Sequence, residues 1–257
     1  KNNNPLSNRN ITIILNGVEN KRTTKDDGSA SIGINLNSGN YNVVVSYSGD
    51  GKYVNSTISR NITVKSTVIS SDVVKYYRNG THFYATILDY DGNKVVDVDV
   101  KMNINGVFYT RKTNSEGIVR LNLNLVPGIY VLTVYNPVTG ENAANNITIL
   151  SRLVENNDLV KYYRNASRYS VKVLDDKGSP IAGVTVTFNI NGVFYDRLTN
   201  SDGVVSLAIN LNPGKYTITA QYGDSKVSNT ITVLTIIKAN DITMKYRDGT
   251  KFKATIL

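Results

Sequence analysis

Residues 104–134 read INGVFYTRKTNSEGIVRLNLNLVPGIYVLTV, and residues 190–220 read INGVFYDRLTNSDGVVSLAINLNPGKYTITA. A third version, LNGVENKRTTKDDGSASIGINLNSGNYNVVV, occupies residues 15–45. Each contains an Asn-Gly pair, Asn16-Gly17, Asn105-Gly106 or Asn191-Gly192. Asn-Gly is a strong tight-turn signal, because both residues tolerate positive φ at little cost. Further on, Val119, Leu121, Leu123 and Leu125 alternate with Arg120, Asn122 and Asn124; Val205, Leu207, Ile209 and Leu211 follow the same rhythm, as do Ala30, Ile32, Ile34 and Leu36. A period of two marks a strand with one buried face. Nowhere does a helical period persist.

Outward from this stretch the self-similarity extends over the chain. Residues 72–150 recur at 158–234, and residues 1–67 match the same template from its third strand onward. Residues 241–257, DITMKYRDGTKFKATIL, match its first two strands, DVVKYYRNGTHFYATIL at 72–88. The turns repeat as well: Asp27-Gly28, Glu116-Gly117 and Asp202-Gly203, then Ser38-Gly39, Pro127-Gly128 and Pro213-Gly214, each of the last three followed by Tyr41, Tyr130 or Tyr216. About seven strands in a repeat, with turns every 8 to 12 residues, is the spacing of an immunoglobulin-like sandwich, and the recurring tyrosine has the position of a tyrosine corner. The expectation is an all-β chain of tandem immunoglobulin-like β-sandwich repeats in an extended array. Residues 1–67 form a repeat lacking its first two strands, 68–150 and 151–234 form complete repeats, and 235–257 supply the first two strands of a further one.

The stretches DDKGSPIAGVTVTFNINGVFYDRLTNSDG at 175–203, NPGKYTITA at 212–220 and NTITV at 229–233 resemble the bacterial Ig-like (Big) repeats of adhesin-like surface proteins of methanogenic archaea. The resemblance covers essentially the whole chain. It implies an extracellular, cell-surface location, a structural or adhesive role and no catalysis. The sharper expectation is a stalk or fibre whose partners are neighbouring copies or repeats, with a carbohydrate- or anionic-polymer-binding module as the alternative.

Composition narrows the chemistry. The 257 residues include no Cys and no Trp, and the one His is His82. Thiol chemistry, disulfides and Cys-based zinc sites are therefore absent, and no nucleophile, base and orienting group can be assembled in a repeating frame. No cofactor or metal site is expected. The net charge of +9 is spread: 10 basic against 6 acidic residues over 1–89, 10 against 7 over 90–174, and 9 against 7 over 175–257. A nucleic-acid binder concentrates such charge on one face, so none is expected as partner. No apolar run reaches the roughly 20 residues of a membrane helix, so no membrane insertion is expected in this segment. The chain starts at Lys1 without Met or a signal peptide, which reads as a processed or excised segment.

Several residues stand out as candidate sites. Sequons at Asn10, Asn55, Asn61, Asn79, Asn146 and Asn165 fall on outward strand positions or turns and are glycosylation candidates. Neighbouring strand residues face opposite ways, so one ring of each pair Tyr76-Tyr77, Tyr162-Tyr163, Phe108-Tyr109 and Phe194-Tyr195 should be outside. Tyr77, Tyr109, Tyr163 and Tyr195 are the candidates to meet surface glycans of another cell or a neighbouring chain. The acidic turns at Asp89-Tyr90-Asp91-Gly92-Asn93 and Asp175-Asp176-Lys177-Gly178-Ser179 read as ordinary hairpin turns, since they lack the closing Glu of a calcium loop. Lys75 and Lys161 with Asn145, Asn146 or Asn229 invite a Lys-Asn isopeptide reading, but no last-strand column carries Asn in every repeat. Finally, the ends leave three readings: the segment is cut from a longer continuous array, which is the plainest; each repeat closes with the first two strands of the following one; or Met244, Tyr246, Phe252, Ala254 and Ile256 complete the first repeat of another copy by strand addition.

Overall fold

A computed structural model describes residues 4–257. The described residues hold strands and no helix, in an immunoglobulin-like, all-β architecture. Strands β1 (Asn10–Leu15), β2 (Val18–Thr23), β3 (Gly39–Tyr47) and β4 (Ser56–Val64) form one sheet in the order β2-β1-β3-β4. The second repeat holds β5 (Val68–Ser70), β6 (Val73–Tyr76), β7 (His82–Ile87), β8 (Asp99–Ile104), β9 (Val107–Lys112), β10 (Ile118–Asn122), β11 (Gly128–Tyr135) and β12 (Asn142–Leu150). It gives a three-stranded sheet, β10-β7-β5, and a five-stranded one, β6-β12-β11-β8-β9. The third repeat has β13 (Leu153–Val154), β14 (Leu159–Tyr162), β15 (Arg168–Val173), β16 (Thr185–Ile190), β17 (Val193–Leu198), β18 (Val204–Ala208), β19 (Gly214–Tyr222) and β20 (Ser225–Leu234), with sheets β13-β15-β18 and β14-β20-β19-β16-β17. A last pair, β21 (Ile237–Ala239) and β22 (Ala254–Ile256), forms a small antiparallel sheet. The chain divides into two compact units, one holding residues through Ser71 with Tyr84–Arg120 and Leu132–Asn145, the other Asp72–Phe83, Leu121–Val131 and the residues from Asn146 onward.

The turns are set by local chemistry. Asn16, Asn105 and Asn191 have φ of 50°, 52° and 52°, and the glycines after them 78°, 78° and 77°. Two positive φ values in a two-residue loop match the right-handed strand twist, and they fix the registers Leu15↔Val18, Ile104↔Val107 and Ile190↔Val193. The tyrosine corners also form: Tyr41, Tyr130 and Tyr216 each donate a hydroxyl bond of 2.8–2.9 Å to the carbonyl four residues back, Asn37, Val126 or Asn212.

The third repeat shows what the alternation builds. Leu153, Tyr169, Val171, Val173, Val205, Leu207 and Ile209 from the three-stranded sheet join Val186, Phe188, Ile190, Ile218, Ala220, Ile231 and Val233 from the five-stranded sheet in one core. Tyr169 meets Phe188 edge-on, with ring centroids 5.9 Å apart, and sends its hydroxyl to Asn229 Oδ1 at 2.7 Å. Burial, reinforced by the Asp158 charge, pushes that phenol up to about 12. Removing so large a ring from water contributes on the order of 2 kcal/mol or more.

The first repeat departs from the expected alternation. No strand lies between Thr23 and Gly39, and Ile34 is 50% exposed where its counterparts Leu123 and Ile209 are 3% and 2%. The cause is missing pairing. In the third repeat β18 runs antiparallel to β15, from Arg168↔Ala208 to Lys172↔Val204, and residues 4–67 contain no strand in the β15 position.

Each complete repeat also buries a charge. Lys75 and Lys161 are each only 4% exposed. Lys161 Nζ donates to the carbonyls of Asn165, Ser167 and Ile209, and Lys75 Nζ to those of Asn79, Thr81 and Leu123. Burial pulls the Lys75 ammonium below its ordinary range. Three carbonyls offset that desolvation and tie the turn before β7 or β15 to the end of the strand beside it. In that turn Arg78 and Arg164 sit at φ 63° and 60°, a left-handed conformation that costs an L-residue about 1 kcal/mol or more. Replacing Lys161→Met should orphan the three carbonyls and lower stability by about 2 kcal/mol in urea unfolding; a loss below about 0.5 kcal/mol would mean that water replaces the ammonium.

Candidate functional site

Among the described residues no group of three or more His, Cys, Asp or Glu could hold a metal ion. No helix among them is long and apolar enough to cross a membrane. What the side chains build instead is a set of braced joints where one repeat hands over to the next.

The connection from β4 to β5 is three residues long, and from β12 to β13 two. Each contains a serine, Ser66 or Ser151, whose hydroxyl turns back on the chain. Ser66 Oγ donates to Val68 O and accepts from Val68 N; Ser151 Oγ does the same with Leu153. Such local bonds pre-set the entry angle of the following strand.

At the first connection Glu141 acts as a clamp. Its carboxylate accepts from Ser66 Oγ at 2.8 Å, from Thr67 Oγ1 at 2.6 Å and from Thr67 N. Asn136, 2% exposed, donates Nδ2 bonds to Thr67 O, Thr67 Oγ1 and Leu88 O. Burial pushes the Glu141 carboxyl up, but the bonds from Thr67, Ser38 and Ser66 outweigh it and hold it below its usual value. At the second connection Arg152 takes this place, with Nε on Leu174 O at 3.0 Å and the guanidinium 5.2 Å from the Tyr222 ring centroid.

A further brace lies where the second repeat meets the third. The Tyr76 ring lies over the turn at Gly178, so closely that a Cβ there would stand 2.5 Å from the phenol oxygen. Gly178 has φ +90°, and beside it Asn79 Nδ2 donates to Asp176 O at 3.3 Å. Arg78 and Asp224 pair at 3.1 Å, but both are exposed enough for that pair to add little.

The expected sites fall as follows. Tyr77, expected outside, is 8% exposed, and Tyr109, Tyr163 and Tyr195 are half-buried. The outward rings are their partners: Tyr162 is 44% exposed, Phe108 55% and Phe194 69%. The reason is the buried lysine. With Lys75 pointing inward, strand alternation carries Tyr77 inward as well and leaves Tyr76 for the joint. Tyr109 sits opposite the buried Met102, which gives it the core side of β9.

The acidic turns are capped from within. Asp89 Oδ1 accepts from the Asp91 and Asn93 amides, and Asp175 Oδ1 from those of Lys177 and Ser179. These backbone bonds hold both carboxyls below their ordinary range. No Lys-Asn cross-link geometry appears in the third repeat, where Lys161 is committed to three carbonyls and Asn229 to Tyr169. In the sequons, Asn10, Asn55, Asn61, Asn146 and Asn165 are exposed, whereas Asn79 is half-buried and its Nδ2 serves the joint. His82 is half-buried.

Sequence reasoning missed the carbonyl-bound lysines and the Glu141 clamp. A signal for the first existed: Met244 stands in the Lys75 column, which marks that column as inward. Glu141 gave none, because the equivalent turn of the third repeat, Gly223-Asp224, is too short to hold a counterpart.

Residues 157–240 match the family model of the macroglobulin domain MG4. The match covers the third repeat and less than half of the chain. No curated protein matches the chain. Among solved structures, the chain is similar to a Ca2+-stabilized adhesin of an Antarctic bacterium that binds ice, at 16% identity and TM-score 0.26, covering 93% of this chain and 70% of that one. It is also similar to the mixed-linkage glucan utilization protein SGBP-B of Bacteroides ovatus, at 13% identity and TM-score 0.25, covering 93% of this chain and 64% of that one. The I9-I11 tandem of titin gives 14% identity and TM-score 0.31, with 89% of each chain covered.

Two predictions follow from the joints. Gly178→Ala and Gly92→Ala place a Cβ at similar φ, +90° and +84°, but only Gly178 has a ring above it. Gly92→Ala should cost about 1–2 kcal/mol from backbone strain alone. Gly178→Ala should cost more, with the excess vanishing in a Tyr76→Ala background; equal losses would show that the ring contact is idle. Glu141, with its folded pKa lowered, contributes stability above its ordinary value near 4.3 and loses it as pH falls through the folded value. The stability gap between the native chain and Glu141→Gln should therefore close on acidification below about pH 4; a gap independent of pH would assign the clamp to something other than the carboxylate.

Proposed function

We propose that this chain is a non-enzymatic, load-bearing spacer, the stalk or fibre part of an extracellular cell-surface adhesin. The observation that carries the reading is the pairing of each complete repeat's early strand with its last. β6 runs parallel to β12, from Val73↔Ile147 to Tyr76↔Leu150, and β14 runs parallel to β20, from Leu159↔Ile231 to Tyr162↔Leu234. The chain enters a repeat beside the strand by which it leaves. Tension transmitted from repeat to repeat therefore pulls the two strands along their length in opposite directions, and their bonds are loaded together rather than one at a time. The amides of Tyr77 and Tyr163 extend this ladder, each donating at 2.9 Å to the carbonyl of Leu150 or Leu234.

Short connections suit the same role. A two- or three-residue linker tied by Ser66, Glu141, Ser151 and Arg152 passes force on without first paying out slack. The buried lysines strengthen the repeats at the point where load arrives, since Lys75 and Lys161 lie on β6 and β14 themselves.

The test is direction-dependent unfolding by single-molecule force. Introduced cysteines give unique handles, because the chain has none. Pulled end to end, the complete repeats should unfold in steps of about 30 nm, the extended length of some 85 residues. The force should be several-fold higher than when the third repeat is pulled through Lys215 and Thr232, neighbours in an antiparallel pair that unzips. Equal forces in the two directions would overturn the reading.

A further inference from the structure

In the third repeat both sheets end on the same flank. β17 pairs with β16 and β18 with β15, each at the edge of its sheet, and the two edge strands approach each other. Toward residues 209–211 a groove of about 380 Å³ opens beside them. Its floor is apolar, from the buried Ile190, Leu207 and Ile209. Tyr195 and Leu211 are half-buried in its walls, and Arg168, Arg197 and Asn210 stand exposed at the rim.

Both arginines are aimed, and neither is neutralised. Arg197 lies opposite the buried Val186, on the core side of an edge strand. Its guanidinium is 5.7 Å from the Tyr195 ring centroid, and Nη1 donates to Asp196 O at 2.7 Å. Arg168 donates Nε to Ser206 Oγ at 2.8 Å and Nη2 to Ser206 O at 3.3 Å. No carboxylate among the described residues forms an ion pair with either guanidinium. One inward charge is enough to keep an edge strand from pairing with another sheet; a second guanidinium and a ring around one groove go beyond that need.

We propose that this groove binds an acidic sugar, a pyranose bearing a carboxylate, as a unit of a polysaccharide. A guanidinium fork matches a carboxylate with two parallel N–H···O bonds. Arg168 keeps Nη1 for this, and Arg197 keeps Nε and Nη2. The Tyr195 ring offers an apolar face to the C–H groups of the sugar and a hydroxyl at its tip. The Asn210 amide can both donate to and accept from sugar hydroxyls. The volume is at the lower end of the roughly 300–1,000 Å³ of small-ligand pockets, which suits a sugar ring and not a peptide helix about 10 Å across.

The full set of residues belongs to the third repeat. In the second, the Arg168 column holds His82 and the Ser206 column Arg120; in the first, the Tyr195 column holds Asn20. The exposure of the groove is a property of the repeat itself: Tyr109, Arg111, Asn124 and Leu125, the equivalents in the second repeat, have the same burial although a complete repeat follows them. β17 and β18 also lie outside the β14-β20 pairing, so the groove stands or falls separately from the load-bearing reading.

Titration of the isotope-labelled full chain with galacturonate oligomers, followed by NMR, tests the assignment. The amides of Arg197, Asn210 and Leu211 should shift and saturate with a Kd below about 1 mM, while neutral galactose oligomers of the same length should leave them unmoved. The double variant Arg168→Gln/Arg197→Gln should bind at least about tenfold more weakly, with unchanged circular dichroism because both side chains are exposed. Arg22→Gln/Arg60→Gln, which removes the same charge from exposed positions of the first repeat, should bind as the native chain does. Equal weakening in the two variants, or equal binding of a glutamate peptide of matching charge, would reduce the effect to net charge and overturn the proposal. Groove amides that do not move at about 5 mM galacturonate oligomer, a concentration that populates even millimolar contacts, would overturn it as well.

Discussion

The whole structure depends on covering one apolar face. A sheet such as β14-β20-β19-β16-β17 has alternating side chains, so one side carries Phe188, Ile190, Ile218, Ala220 and Ile231 and cannot be left in water. The three-stranded sheet from β13, β15 and β18 removes it from solvent, and the order of the chain follows from that need. Where the cover is present these residues are 0–3% exposed. In the first repeat, where it is not, the sequence alternation at Ala30, Ile32, Ile34 and Leu36 fails to make a strand at all. Alternation proposes a strand, and a partner edge makes it one.

The same constraint explains the divided first strand. β5 and β13 belong to the small sheet, while β6 and β14 cross over to lie parallel to the last strand of the large one. One segment thus contributes to both layers and ties them together. The lysine on it reaches back to the opposite layer through the Leu123 or Ile209 carbonyl. On the proposed load-bearing reading, a device that secures the cover also sits where force would enter from the preceding repeat.

Most of this fold was legible because its determinants are local. Asn-Gly at 16, 105 and 191 dictates a two-residue loop, and Gly39, Gly128 and Gly214 admit the tyrosine corner with only their immediate neighbours involved. The facing of Tyr77 was not legible, because the inward direction of its strand is set by a charged residue whose partners are carbonyls 4, 6 and 48 residues away in sequence. The joints were hidden for the same reason. Tyr76 meets Gly178 and Thr67 meets Glu141 across long separations, and neither pair repeats along the chain.

The central claim is that cover, not sequence pattern alone, decides which strands exist. Amide hydrogen exchange on the dilute chain tests it residue by residue. The amides of 119–123 and 205–209 should exchange only through opening of their repeats, while those of 30–36 should exchange near the rate of an unstructured chain. Protection of 30–36 equal to that of 119–123 would contradict the account, because residues 4–67 would then close a core without the strands that close the other repeats.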